Sequence, residues 1–66
     1  MQLTVNGEQR VYEKPITLQE LIDELKIGEK VMAAAVNMEI VKKESWGAHR
    51  LEEGDRVELL HFVGGG

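Results

Sequence analysis

Cysteine is absent from this 66-residue chain, which removes disulfides, thiolate zinc sites and cysteine nucleophiles together. Small secreted domains generally depend on such staples, so the composition favours an intracellular, cytoplasmic protein. Long apolar runs are missing too. Nothing approaches membrane-spanning length, and the opening Met1-Gln2-Leu3-Thr4-Val5-Asn6 has neither the basic nor the apolar region of a secretion signal. Bases are outnumbered, eight Lys and Arg against twelve Asp and Glu, for a formal charge of -4. That balance argues against binding a nucleic-acid backbone and admits a basic protein partner. Catalytic side chains are scarce: the only histidines are His49 and His61, and Ser45 is the only serine. No glycine-rich loop precedes a helix, so a phosphate cradle is excluded, and two lone histidines predict no metal site. A chain this short forms one domain and buries only about 60% of its unfolded surface. Its large apolar residues are therefore committed to a core, which disfavours an enzyme with a deep cavity of its own.

What is present reads as an ordered series of short elements. Leu3 and Val5 alternate with polar neighbours, Asn6-Gly7 suits a type I′ turn, and Val11 and Tyr12 close a second strand that ends before Pro15. Thr17-Leu18-Gln19-Glu20 is a capping box, and Leu18, Leu21, Ile22 and Leu25 form one helical stripe. The helix is predicted over about residues 18–26 with Gly28 as its left-handed cap. The run 31–36 reads as a strand covered on both sides, Asn37-Met38 as a turn, and 39–41 as a short strand. Residues 42–53 are an irregular connection with Trp46 and Leu51 plugging the core. Gly54-Asp55 turns the chain into a final strand over 56–63.

The pattern is α+β, a small mixed sheet with one helix packed across one face. The final strand is placed in the middle, because it is apolar on both faces. Val57, Leu59, His61 and Val63 lie on one side, and Glu58, Leu60 and Phe62 on the other. The helix covers the first side. No second helix exists for the other, so Leu60 and Phe62 are expected to dock partners. After the domain, residues 1–63, come Gly64-Gly65-Gly66. Without side chains to pack, they are expected to form a flexible tail able to thread a narrow tunnel and present a carboxylate.

The Asn6-Gly7 hairpin, the capped helix from Thr17 to Ile22, Ala35 to Val41, Gly54-Asp55-Arg56-Val57-Glu58 and the closing Phe62-Val63-Gly64-Gly65-Gly66 occur in the order seen in ThiS. The chain resembles that family of thiamin-pathway sulfur carriers along its whole length. The resemblance implies a ubiquitin-like β-grasp and a cosubstrate rather than an enzyme, monomeric when free. It implies that an E1-like (ThiF-like) enzyme adenylates Gly66, with Gly64 and Gly65 threading that enzyme's active site. Mg-ATP is the partner's cofactor, and none is bound here. A persulfide donor system then makes a thiocarboxylate, delivered to a ThiG-like thiazole synthase. The chain is similar as well to the small subunit of molybdopterin synthase, but lacks that family's proline-containing last strand. A ubiquitin-like protein modifier is the other alternative.

Overall fold

In this computed structural model, which describes residues 1–61, local chemistry fixes each turn. Asn6 and Gly7 have φ of 49° and 84°, the left-handed pair of a type I′ turn. They join β1 (Gln2–Val5) to β2 (Glu8–Val11) in a hairpin closed by the Val5–Glu8 pair. The second hairpin, β3 (Val31–Val36) to β4 (Glu39–Ile40), turns the same way through Asn37 and Met38, at φ 51° and 71°. β5 (Arg56–His61) runs parallel to β1 and antiparallel to β3, giving the order β2-β1-β5-β3-β4. The last strand is thus central, as its two-faced apolarity predicts.

Helix α1 (Leu18–Leu25) begins with every early backbone donor satisfied. Leu18 N–H donates to the His49 carbonyl and Gln19 N–H to that of Trp46, while Glu20 N–H donates to Thr17 Oγ1. The Glu20 carboxylate in turn accepts from Thr17 N–H at 2.8 Å, completing the capping box. The helix therefore starts where the sequence places it, and is bolted to the connection 42–53 by two of those bonds.

The core lies between α1 and one sheet face. Leu18, Leu21 and Ile22 meet Leu3, Val5, Ala34, Val36, Val57 and Leu59, with Trp46 and Leu51 filling the end as expected. Burial of each large side chain contributes about 1.5–3 kcal/mol, the term that offsets chain entropy. Trp46 also donates its indole N–H to the Val41 carbonyl at 2.9 Å, so the plug carries no unpaired polar atom.

Four details differ from expectation. The left-handed helix cap is Lys26 (φ 60°, N–H to the Asp23 carbonyl), two residues before Gly28, which instead opens a 3-10 turn over Gly28–Lys30. β4 stops at Ile40. The connection contains a second 3-10 turn, Lys43–Ser45, and a single bridge from Arg50 to Thr17. The run 31–36 is covered on only one side: Ala34 and Val36 are buried, whereas Met32 is 63% exposed. Ala33 and Ala35 suit the other side, their small side chains lining an open face at little cost in water. The expected continuation of the final strand through Val63, and the domain boundary at 63/64, lie outside the described residues.

Candidate functional site

The sheet face opposite the helix begins with pairing register. Ala33 lies opposite Leu60, and Ala35 lies between Glu58 on one side and Ile40 on the other. Small side chains on β3 between larger ones on β4 and β5 leave a shallow groove, lined by Asn6, Ala33, Ala35, Ile40, Glu58 and Leu60. Leu60 is 60% exposed and Ile40 is 71% exposed. The groove lies along β5, whose described residues end at His61. Of the sequence-predicted site residues, Leu60 is on this face and open to solvent. Phe62, Gly64, Gly65 and Gly66 lie outside the described residues.

Met38 adds to the same edge of the sheet. Its backbone is held at φ 71° while its side chain is 84% exposed. A long non-glycine side chain in that conformation is strained.

The histidines do not meet. His49 lines a hollow with Asn37, Glu39 and Asp55, and His61 lines another with Glu8, Arg10 and Ile27. Among the described residues no cluster of His, Asp and Glu could hold a metal ion. The titration anomaly that stands out is structural. Burial first, and the bond from its hydroxyl to Glu24 Oε1 (2.9 Å) second, hold the Tyr12 phenol above its ordinary pKa. Arg10 sits 3.7 Å from the same Glu24, an exposed pair that contributes little. Together these side chains pin β2 to α1.

Two residues that sequence reasoning treated only as turn formers grip the central strand. Asn37 Oδ1 accepts from Arg56 N–H at 3.0 Å, its own N–H donates to the Arg56 carbonyl, and its Nδ2 donates to Asp55 Oδ1. Asn6 Oδ1 accepts from Leu59 N–H at 2.8 Å, and its Nδ2 donates to the Leu59 carbonyl at 3.2 Å. Asparagine is so common in such turns that the sequence carries no separate signal for this second role.

Comparison with known proteins gives a consistent result. The model of a family described as the ThiS family matches residues 3–66. A sulfur carrier protein ThiS of Escherichia coli is 30% identical over 66 residues, covering the whole of both chains. A thiazole synthase of Paramagnetospirillum magneticum is 36% identical over the whole of this chain. The chain spans only a fifth of the length of that enzyme and of a second thiazole synthase, from Magnetococcus marinus. The crystal structure of a thiamine biosynthesis protein (ThiS) from Geobacter metallireducens superposes with a TM-score of 0.82 at 36% identity, with both chains fully covered.

Proposed function

The chain belongs to the ThiS family, and from that premise we propose that it is a sulfur carrier of thiamin biosynthesis, loaded at the carboxylate of Gly66. The sheet and its crossing helix are the ubiquitin-like β-grasp of that family. The end-to-end match to a named sulfur carrier is the observation that carries the reading.

The chemistry follows from what a carboxylate lacks. It is a poor electrophile, because its charge is delocalised and it has no leaving group. An E1-like adenylating enzyme overcomes this with Mg-ATP: the Gly66 carboxylate attacks the α-phosphorus, pyrophosphate leaves, and an acyl-adenylate forms. A persulfide sulfur then displaces AMP to give an acyl disulfide. A second thiol of the donor system attacks that disulfide's outer sulfur, forming a new disulfide on the donor and releasing the thiocarboxylate. Every group that bonds ATP belongs to the partner. This chain contributes a narrow glycine terminus and a face for docking, with Leu60 and Phe62 as contacts and Gly64 and Gly65 giving clearance. The thiazole synthases that contain a stretch similar to this whole chain support a thiazole synthase as the acceptor of the sulfur.

The test is ATP–pyrophosphate exchange catalysed by a ThiF-like enzyme. Exchange is expected to depend on the intact chain and to vanish when Gly65 and Gly66 are removed, with an unchanged melting temperature. Glycines bury no apolar side chain, so their loss should not reach the core. A truncated chain that still supports exchange would place the reactive group elsewhere.

A further inference from the structure

β1 stops pairing with β5 before β5 ends. The parallel ladder contains Thr4 opposite Arg56 and Val5 opposite Val57, after which the chain turns back at Asn6-Gly7. Successive donors nevertheless keep their spacing along β5. Thr4 N–H donates to the Asp55 carbonyl, Asn6 N–H to that of Val57, and Asn6 Nδ2 to that of Leu59. The carboxamide thus supplies the donor that a straight continuation of β1 would have supplied. Its Oδ1 supplies the matching acceptor for Leu59 N–H. On the other flank β3 reaches His61, but with a bulge between Val31 and Ala33. Among the described residues, the side chain of Asn6 is therefore the last hold on β5 from the β1 side.

We propose that Asn6 is a positioning residue, whose carboxamide fixes the end of β5 from which residues 62–66 continue and so eases presentation of Gly66 to an adenylating enzyme. The proposal rests on the reading of Gly66 as the loaded group. A chain end that leaves from a fixed point loses less conformational freedom on binding, and that saving appears in affinity rather than in the chemical step. Turn propensity alone does not account for the pairing, because Asp or Gly at position 6 suits the same turn while neither reproduces the two bonds to Leu59 at neutral pH.

That difference supplies the test. Asn6→Asp keeps size and turn, but its carboxylate accepts from Leu59 N–H and cannot donate to the Leu59 carbonyl. Once protonated, its hydroxyl restores the donor. Asn6→Gly keeps the turn and removes the clamp at every pH. The titratable neighbours are Glu8 and Arg10 of β2 and Glu58 and His61 of β5. All four are shared by wild type and both variants, so each variant is read as a ratio to wild type at the same pH.

Adenylation by a ThiF-like enzyme should show KM for the chain raised about three- to tenfold in both variants near about pH 8, with kcat unchanged. Only toward about pH 4, around the ordinary carboxylate pKa, should the Asp variant begin to recover relative to wild type, read in a direct binding titration, while the Gly variant does not. Far-ultraviolet circular dichroism confirms that each variant is folded. Equal behaviour of all three chains, a loss in the Asp variant that persists at low pH, or a fall in kcat alone would overturn the inference while leaving the carrier reading intact. A wild-type chain that is not adenylated would overturn the carrier reading, and this inference with it.

Discussion

Neighbouring leucines at the end of the central strand do opposite things. Leu59 points under the helix and is 6% exposed, whereas Leu60 points into the groove and is 60% exposed. The alternation of a strand makes them separable by mutation. Leu59→Ala should cost about 2–4 kcal/mol of stability by leaving a cavity among Ala34, Val57 and the helix. Leu60→Thr places a β-branched residue, well suited to a strand, at this exposed position and should change stability by less than about 1 kcal/mol. It should weaken binding to the adenylating enzyme about tenfold, as removal of a central apolar contact does. Chemical denaturation and a binding titration on the same two proteins check this. Unaltered binding by Leu60→Thr would remove that residue from the docking face. This division was legible in the sequence, because hydrophobic alternation in 56–61 marks both faces. The roles of Asn6 and Asn37 were not, since each bonds a residue far along the chain that no local pattern identifies.

Among the elements, the helix is the most completely specified by its own residues. Thr17→Ala removes the Oγ1 acceptor from Glu20 N–H while keeping the backbone N–H that the Glu20 carboxylate accepts. It should cost about 1 kcal/mol, a fall in melting temperature of roughly 4–8 °C in a domain this small. A calorimetric scan reads it directly, and a shift under about 2 °C would mean that the bonds to His49 and Trp46 hold the helix start alone. The far end was less legible. Glycine is the usual left-handed cap, so Gly28 attracts that role. The helix ends earlier at Lys26 because Ile27 must turn back against the core rather than follow the helical stripe. The strand at 31–36 shows a related ambiguity. An unbroken apolar run implies cover on both sides, but here Ala34 and Val36 face the helix while the small Ala33 and Ala35 line a side left open. In this protein that open side is the groove.

At the scale of the whole molecule, every described strand and the helix serve the central strand. β1 and β3 hold its flanks, α1 covers one face, and the two hairpin asparagines grip its backbone at Arg56 and Leu59. Such a scaffold suits the function proposed above, in which the reactive group is not a side chain within the fold but the carboxylate of Gly66. The order of elements and the centrality of β5 were readable from sequence because length leaves few ways to bury so many apolar residues. The absence of cysteine now makes the central claim directly measurable. The chain is incubated with a ThiF-like enzyme, a cysteine desulfurase, cysteine and Mg-ATP, treated with a thiol-alkylating reagent, and digested after Arg56. With no side-chain thiol in the sequence, a label on the peptide ending in Gly64-Gly65-Gly66 reports a thiocarboxylate. The account predicts that label, and predicts its loss when ATP is omitted. An unlabelled peptide, under conditions that charge an established carrier, would contradict it.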